Sequence, residues 1–404
     1  MKAFLENFER YAIDVILGRR LGRGAAVLRG FLYLLSLLYG RIVVLRLWLY
    51  EKRVARVHAL GCLVVSVGNL TVGGTGKTPI VEKLARRLTL AGRKVAILSR
   101  GYKSTPVPFS ERMRNRIWGR DHVTPPRIVS DGKRLLLDSA RSGDEPYMLA
   151  KNLGDVVVLV DRDRVKSGLY AMEHFGADTL LLDDGFQYLP LKQRLDVILV
   201  DRETPFGNHH LLPRGMLREP PHHLKRADLV FITKCDGSDI SELRAELRAL
   251  NRHAPFIECR HAPRYLENLQ TGERRPLDFL KGQRIGALSG IARPESFEAG
   301  LKNLGAEICY SRQFADHHRF DEAELANMLQ RSRARTARIV VTTEKDAVRL
   351  PRIEHPLLPI YFLRVEIEIF GSEGEAALDA LVARLCPPVE ASTPHPTPAA
   401  LSAT

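Results

Sequence analysis

The feature that most constrains the fold is a glycine-rich loop between an apolar run and an amphipathic stretch. The apolar run, Cys62–Val67, has the length and composition of a buried strand. The loop GNLTVGGTGKT follows at residues 68–78. Thr78–Ala91 then carries apolar side chains at helical spacing, with Pro79 in the first turn. A strand, a glycine-rich loop and a helix in this order predict a phosphate-binding loop in an α/β protein.

The chemistry of such a loop assigns roles to individual residues. Its backbone N–H groups wrap a phosphate, Lys77 would reach the β- and γ-phosphate oxygens, and Thr78 would hold Mg²⁺. The usual pattern has glycine five residues before Gly76, whereas this chain has Thr71. The alternative is a glycine-rich turn with an incidental lysine. The predicted phosphate-binding residues are Thr71, Val72, Gly73, Gly74, Thr75, Gly76, Lys77 and Thr78.

Short apolar runs alternate with helical lengths along the following chain. The runs are Val95–Leu98, Val156–Val160, Thr179–Leu182, Val197–Val200 and Leu229–Thr233. This alternation predicts a three-layer α/β/α domain with a parallel sheet at residues 61–280. A second, smaller α/β unit is predicted at 281–386, a surface insertion at 105–126 and a disordered tail at 387–404.

The first 60 residues have a different character. Residues 1–29 are basic and helical in pattern, and Phe31–Tyr50 is a nearly continuous apolar run. A helix of about 20 residues can cross a bilayer, but Arg41 near its centre costs about 2.5–3.5 kcal/mol. Three alternatives follow: a helix lying in the membrane interface, a spanning helix, or a helix packed on the protein. If the helix continues, Arg46, Arg53 and Arg56 share a face and reach lipid phosphates.

Composition limits the partners and the compartment. With 404 residues, 45% hydrophobic and 27% charged, the chain is neither wholly disordered nor a disulfide-stapled miniprotein. Its five scattered cysteines form no C-x-x-C pair, which indicates a reducing compartment and no zinc site. The net charge of +14 predicts an anionic partner. We expect a membrane surface and phosphates rather than nucleic acid, because no nucleic-acid recognition motif is present.

Acidic residues stand at the ends of three predicted strands or helices. Asp183 and Asp184 end a predicted strand, where a phosphate-loop sheet places its metal-holding carboxylate. Asp144 and Glu145 open a helical stretch, either as a base or metal ligand or as a helix cap. The Asp316-His317-His318 run lies between a strand and a helix and is either functional or merely exposed.

A further motif supports a rival function. Thr233-Lys234-Cys235-Asp236 follows an apolar strand and resembles the guanine-reading sequence of GTPases. Four residues of this kind also arise by chance. The alternative to an enzyme acting on a lipid is therefore a phosphate-loop GTPase switch at the membrane.

Taken together, these motifs resemble those of the tetraacyldisaccharide 4'-kinase family of lipid A synthesis. The loop SVGNLTVGGTGKTP at 66–79 is similar to that family's phosphate loop, including threonine in place of the first glycine. The other motifs follow in the family's order: SRGY (99–102), GDEP (143–146), LDDGFQ (182–187), FGN to LLPRGMLREP (206–220), SGIARPESF (289–297), FADHH (314–318) and TTEKDAVRL (342–350). The match covers roughly residues 10–385. Three places depart from the pattern: Lys103-Ser104 replaces glycines, Tyr188 replaces a histidine and His209 replaces a glycine.

The resemblance implies a reaction, ligands and a location. The γ-phosphate of ATP would pass, with Mg²⁺, to the 4'-hydroxyl of a lipid disaccharide 1-phosphate, giving lipid IVA. The N-terminus would attach the protein to the cytoplasmic face of the bacterial inner membrane, with no obligate protein partner. Carried over by motif, Lys77 and Thr78 contact the triphosphate and Mg²⁺, Asp183, Asp184 and Glu145 serve the metal, Asp144 is the base and His317 supports Asp144.

Overall fold

The computed structural model describes residues 11–102, 104–105 and 124–386. Most of the predicted insertion at 105–126 and the predicted tail at 387–404 lie outside the described residues.

The first half of the chain alternates strands and helices after one long N-terminal helix. In chain order it contains α1 (Arg23–Glu51), β1 (Leu63–Asn69), α2 (Lys77–Leu90), β2 (Val95–Ser99), β3 (Arg127–Asp131), α3 (Ser139–Ser142), α4 (Asp144–Asn152), β4 (Val157–Val160), α5 (Arg164–Phe175), β5 (Thr179–Asp183), β6 (Leu195–Asp201), a 3-10 helix (Pro221–Arg226), β7 (Leu229–Thr233) and α6 (Ser241–Leu250).

The second half begins with a long strand and repeats the alternation on a smaller scale. It contains β8 (Phe256–Asn268), β9 (Arg274–Pro276), a 3-10 helix (Leu277–Leu280), β10 (Arg284–Ser289), α7 (Pro294–Asn303), β11 (Glu307–Gln313), α8 (Glu322–Ala334), β12 (Ile339–Thr343), α9 (Glu344–Ala347), β13 (Ile360–Ile369) and α10 (Gly371–Leu385).

The strands form one curved sheet in the order β11-β10-β12-β13-β8-β7-β6-β1-β5-β2-β4-β3, with β9 paired to β8. In the run β8-β7-β6-β1-β5-β2-β4 every neighbouring pair of strands is parallel, and so is every pair in the run β11-β10-β12-β13. The predicted parallel α/β architecture is therefore confirmed. The antiparallel edge strand β3 and the antiparallel β8–β13 pair are additions that sequence patterns did not predict.

Strand β1 shows why these strands are apolar at nearly every position. Val65 and Val67 pack on the side of α2, together with Leu378 of α10. Val64 packs on the opposite side with Ala171 of α5. Successive side chains of a strand point to opposite faces, so a strand covered by helices on both sides is apolar throughout. This confirms the three-layer arrangement of the phosphate-loop unit.

The sheet contains two units that share strand β8. The phosphate-loop unit has strands β1–β7, and the second unit has strands β9–β13. Residues Phe256–Glu258 of β8 pair with β7, and Cys259–Asn268 pair with β13. After β13, helix α10 returns to the phosphate-loop unit, where Leu378 and Val382 are buried. The chain therefore crosses between the units twice, and the predicted boundary between residues 280 and 281 stays a prediction.

Helix α1 lies against the phosphate-loop unit along one side only. Two of its residues, Ala25 and Ser36, are buried. By length and composition it could cross a membrane, and only 6% of its most apolar window is buried. The alternative of a buried helix packed on the protein is therefore wrong, since the apolar surface of α1 remains exposed. The hydroxyl of Tyr39 donates to the carbonyl of Arg218 at 2.9 Å, which fixes α1 near the site described below.

The predicted arginine face of this segment is also wrong. Arg46 donates to the carbonyl oxygen of Gln187 rather than lying free on the helix. The helix ends at Glu51 because Arg53 adopts a positive φ of 58° and the next N–H groups turn back to Leu49. Arg53 and Arg56 therefore lie beyond the helix. At its other end the predicted helix over 1–29 is interrupted by Gly18 and Gly22, both at positive φ.

We expect the close approach of Gly68 to Phe186 to make alanine costly at this position. A Cβ on Gly68 would lie 2.6 Å from Cβ of Phe186 and 3.0 Å from its backbone nitrogen. Gly68→Ala should lower the free energy of unfolding by about 1–3 kcal/mol, the usual cost of overpacking. Gly74→Ala is the control, because a Cβ there meets nothing within 4 Å. Chemical denaturation of both variants tests this, and equal stabilities would contradict it.

Candidate active site

The predicted phosphate loop joins β1 to α2. Gly76 closes the loop at φ +81° and Gly73 adopts φ +125°, so both positions use the conformational freedom of glycine. Asn69, the last residue of β1, donates to the hydroxyl of Thr75 at 3.0 Å and keeps the loop folded. Lys77 follows as the first helical residue, which places its N–H at the positive end of α2.

Thr71, where glycine is usual, needs no glycine in this structure. Its φ is not positive, and the residue is buried. The loop backbone pairs here with a second segment: Val72 N–H donates to the carbonyl of Met216 at 2.7 Å, and Thr71 bridges to Leu217. The segment that carries Arg218 therefore braces the phosphate loop.

Two cationic side chains converge on Asp184. Nζ of Lys77 lies 3.4 Å from Oδ1 of Asp184, and NH1 of Arg218 lies 2.8 Å from both carboxylate oxygens. Burial favours a higher pKa for Asp184, but Lys77 and Arg218 outweigh it and hold the pKa below its usual range. Asp184 also has φ +53°, an uncommon backbone conformation of the kind found at functional sites. The structure thus places a fixed anion between two cations beside the phosphate loop.

Asp183 is in the opposite electrostatic situation. It is 3% exposed, its Oδ2 accepts from the hydroxyl of Ser99 at 3.0 Å, and its Oδ1 has no partner among the described residues. Burial, followed by the negative charges of Glu145 and Asp184, raises the pKa of Asp183 to about 7. A buried carboxylate oxygen without a partner, close to other carboxylates, suits a divalent cation.

The other predicted metal ligands fit Mg²⁺ to different degrees. Within the described residues there is no cluster of three or more His, Cys, Asp or Glu side chains that would hold a metal alone. Mg²⁺ usually has one or two carboxylates plus waters and substrate phosphates, so a single carboxylate such as that of Asp183 fits its needs. Asp184 is already engaged by two cations. Glu145 influences Asp183 by its charge.

The predicted pair of Asp144 and His317 is in direct contact. Nδ1 of His317 lies 2.9 Å from Oδ2 of Asp144, although the residues are 173 positions apart. Asp144 is the first residue of α4 and is 5% exposed. His317 follows β11 in the second unit and has φ +65°. Each unit therefore contributes one member of the pair.

Two arginines from the second unit complete the surroundings of Asp144. Nε of Arg349 lies 3.3 Å from Oδ2, and NH2 of Arg319 lies 3.5 Å from Oδ1. Burial favours a higher pKa for Asp144, but the hydrogen bond from His317 and the charges of Arg349 and Arg319 outweigh it and lower the pKa. Asp144 is therefore ionised at neutral pH despite its burial.

The far side of the His317 ring meets Lys345. Nε2 of His317 lies 3.1 Å from Nζ of Lys345, which also contacts Asp316 at 3.1 Å. An ammonium group can only donate, so Nε2 accepts and the imidazole proton lies on Nδ1, facing Asp144. Lys345 thus selects the tautomer that supports the carboxylate.

Two departures from the family's pattern have local explanations. The ring of Tyr188 lies 4.9 Å from the guanidinium of Arg164. The hydroxyl of Tyr188 accepts from the backbone N–H of Arg164 at 3.0 Å. Arg164 in turn donates to the carbonyl of Asp183. His209 adopts φ +59°, a conformation that favours glycine, which accounts for glycine as the usual residue there.

The structure does not support the GTPase alternative. Lys234 donates to Asp201, and Asp236 is paired with Arg202 and also accepts from Ser238. These partners hold the pKa of Asp236 far below its usual range. The carboxylate that reads guanine in such a motif is therefore already occupied.

Sequence reasoning did not assign roles to four basic residues of this site. They lie in or beside motifs that were recognised, but nothing in a motif tells which basic side chain turns inward. Arg349, at the end of TTEKDAVRL, is fully buried, which is an unusual position for an arginine. These residues are Arg218, Arg319, Lys345 and Arg349.

The chain is similar to known proteins along most of its length. The family model for tetraacyldisaccharide-1-P 4'-kinase matches residues 28–385. Tetraacyldisaccharide 4'-kinase of Anaeromyxobacter dehalogenans is 45% identical over 305 residues, which cover 75% of this chain and 76% of that protein. The enzyme of the same name from Geobacter sulfurreducens is 38% identical over 366 residues, covering 90% and 97% of the two chains.

A solved structure is similar over almost its whole length. The crystal structure of an "apo" form of LpxK from Aquifex aeolicus in complex with ATP superposes with a TM-score of 0.69 at 31% sequence identity. The match covers 89% of this chain and 99% of that chain.

The burial of Asp183 predicts a pH-dependent cost that asparagine removes. Its folded pKa of about 7 exceeds the unfolded value of about 3.9, so the carboxyl group costs stability as the pH rises from 4 to 7. Without divalent cations, Asp183→Asn should stabilise the protein at pH 8 by at least about 1.4 kcal/mol, the equivalent of one pKa unit. The gain should be smaller at pH 5. Urea denaturation at both pH values measures it, with the exposed Asp278→Asn as control. An unchanged difference between pH 5 and pH 8 would contradict the assignment.

Proposed function

The chain belongs to the tetraacyldisaccharide 4'-kinase family, and from that premise we propose how its residues carry out the reaction. The protein is an ATP-dependent kinase of lipid A biosynthesis, which transfers the γ-phosphate of ATP to the 4'-hydroxyl of a tetraacyldisaccharide 1-phosphate. A reaction of this kind depends on positioning and charge neutralisation more than on covalent chemistry by the protein.

The observation that carries the proposal is the 2.9 Å contact between Asp144 and His317. Asp144 is the base toward the 4'-hydroxyl. It is ionised, it begins a helix beside the phosphate loop, and Glu145 next to it influences Asp183 by charge. The lowered pKa of Asp144 does not prevent this role, because in a loose phosphoryl-transfer transition state the hydroxyl still holds its proton and gives it up only as the new O–P bond forms. His317 orients the carboxylate and stabilises its charge until the proton arrives.

The phosphate loop supplies the other half of the site. We assign residues 71–78 to the triphosphate, with Lys77 at the β- and γ-phosphate oxygens. Arg218 and Lys77 both contact Asp184, so two cations are available to stabilise negative charge on the transferred group. Thr78 and Asp183 would hold Mg²⁺, with Asp184 and Glu145 as its further acidic neighbours. When bound, Mg²⁺ neutralises negative charge on the phosphate oxygens.

The location of His317 in the second unit gives the two predicted domains a purpose. We propose that residues 61–280 bind ATP and that residues 281–386 bring His317 to Asp144. A site assembled from two units excludes water when they close, which prevents wasteful hydrolysis of ATP.

Helix α1 suits the acyl chains and the membrane. A groove of ≈ 720 Å³ lies between α1 and the segment 209–220, lined by Tyr33, Leu37, Gly40, Val44, Trp48 and Leu211 among others. The same segment carries Arg218, whose carbonyl accepts from Tyr39 of α1 and whose guanidinium contacts Asp184. We propose that the lipid disaccharide 1-phosphate enters there from the cytoplasmic face of the bacterial inner membrane, whose anionic surface attracts the +14 chain. Neither nucleic acid nor an obligate protein partner is part of this function.

The pairing of Asp144 with His317 is tested by a double-mutant cycle. Turnover is measured as transfer of labelled γ-phosphate from ATP to a lipid A disaccharide precursor. Asp144→Ala should lower turnover by about 10²–10⁴-fold with little change in ATP affinity. His317→Ala should cost less, and the double variant should be hardly slower than Asp144→Ala, because the two residues act as one unit.

Two controls accompany this cycle. Thermal melts establish that each variant is folded, and Lys77→Ala should remove most activity through the phosphate loop instead of the base. Losses that multiply independently in well-folded proteins would refute the pair.

The membrane role of α1 is tested by charged substitutions on its exposed apolar side. Leu34 and Leu38 are 66% and 56% exposed and lie one helical turn apart. Replacing both with glutamate should lower binding to anionic lipid vesicles at least about tenfold and slow turnover on lipid in bilayers. Leu90→Glu is the matched control, since Leu90 is 83% exposed at the end of α2. Vesicle pelleting that is equally strong for both variants would place the membrane contact elsewhere.

A further inference from the structure

A buried ion network lies where helices α2, α4 and α9 meet strand β13. At its centre, NH1 of Arg364 lies 2.7 and 2.9 Å from the two carboxylate oxygens of Glu344. NH2 of the same guanidinium donates to Oε1 of Glu82. Nδ2 of Asn152 bridges the two carboxylates, at 3.2 Å from Glu82 and 2.7 Å from Glu344.

Glu82, Asn152 and Glu344 each belong to an element that also carries a residue of the site. Glu82 is on α2, the helix that follows the phosphate loop. Asn152 is the last residue of α4, the helix that begins with the proposed base. Glu344 is the first residue of α9 and is followed by Lys345, which contacts His317. The network therefore joins the phosphate loop, the base and the support of the histidine.

The side chains of the network are buried from solvent, so each charge depends on its partners for stabilisation. The side chains of Arg364, Glu82 and Glu344 are 5%, 8% and 13% exposed. Burial raises the pKa of Glu344 although the charge of Arg364 counteracts it. Buried charges are tolerated only in a geometry that pairs them, so this arrangement resists displacement of any one element.

Arg364 also lies at an irregular point of the connection between the units. The β8–β13 register is irregular between Arg364 and Val365, and irregular pairs are where strands bend. At this point Arg364 links Glu82 of the phosphate-loop unit to Glu344 of the second unit. The network holds this connection from both sides.

We propose that Arg364 is a positioning residue for phosphoryl transfer, which with Glu82 and Glu344 holds the second unit where His317 meets Asp144. This inference rests on the proposed roles of Asp144 and His317, since its effect is to bring them together. Arg364 itself touches neither residue of the pair, and its contribution is to their geometry.

The test removes the charges while keeping the shape. In the full chain, Glu82→Gln, Arg364→Met and Glu344→Gln are combined, and γ-phosphate transfer from ATP to a lipid disaccharide 1-phosphate is measured. The expected result is a folded protein whose kcat falls about 10–100-fold while KM for ATP changes less than about twofold. Adding His317→Ala should then cost little more, because the histidine is already misplaced.

A matched control uses an exposed ion pair across the same two strands. Arg260 and Glu368 face each other on β8 and β13 with side chains 47% and 38% exposed. Arg260→Gln with Glu368→Gln should leave kcat within about twofold, and His317→Ala should have its full effect in that background.

Four outcomes would count against the proposal or separate it from the assigned function. A folded triple variant with unchanged kcat, or losses that multiply with His317→Ala, would overturn it. If the triple variant does not fold, Asn152→Ala leaves every charge in place, and kcat should fall about threefold to tenfold with KM unchanged. An unchanged kcat in Asn152→Ala would overturn the proposal equally. Full activity of both Asp144→Asn and His317→Ala in the otherwise unaltered chain would instead refute the assigned base.

Discussion

The antiparallel pairing of β8 with β13 is the constraint on which the rest of the structure depends. It holds nine residue pairs between Cys259 and Asn268 on one side and Tyr361 and Ile369 on the other. Because β8 also pairs with β7, this ribbon makes one sheet out of two α/β units. Within the part of the chain that the structure describes, the strand pairings that join the units all involve β8, so this ribbon gives His317 and Asp144 a common frame.

The acidic residues of the site differ in whether basic side chains balance their negative charge. Asp144 is kept ionised by His317, Arg349 and Arg319, and Asp184 by Lys77 and Arg218. Asp183, with one oxygen unpartnered among the described residues, is the exception. The difference matches the roles proposed for them, because a base needs permanent protein partners for its charge, whereas a metal ligand needs its cation.

Sequence patterns predicted the local parts of this architecture well. Strand β1 and helix α2 were recognisable from apolar periodicity, and the phosphate loop from the glycines between them. The long strand β8 escaped notice because Arg260-His261 breaks the apolar pattern and Pro263 lies within it, and proline argues against a strand. The inward turn of Arg349 and the network around Arg364 could not be predicted, because burial of an arginine is decided by contacts distant in the chain. Recognition of the motifs, by contrast, led directly to Asp144 and His317.

The contact between Tyr188 and Arg164 has a consequence for acid tolerance. Burial, followed by the charge of Asp163, raises the pKa of Tyr188, so its ring stays neutral throughout the physiological range. A histidine in this place would titrate near pH 6.5 and set a second positive charge against the guanidinium, whose carbonyl partner belongs to Asp183. With tyrosine, acidification adds no positive charge beside Arg164, so the guanidinium keeps its contact with Asp183. The exchange of one aromatic ring for another thus removes one titrating group from these surroundings and leaves Asp183, with a pKa of about 7, as the group that responds to pH here.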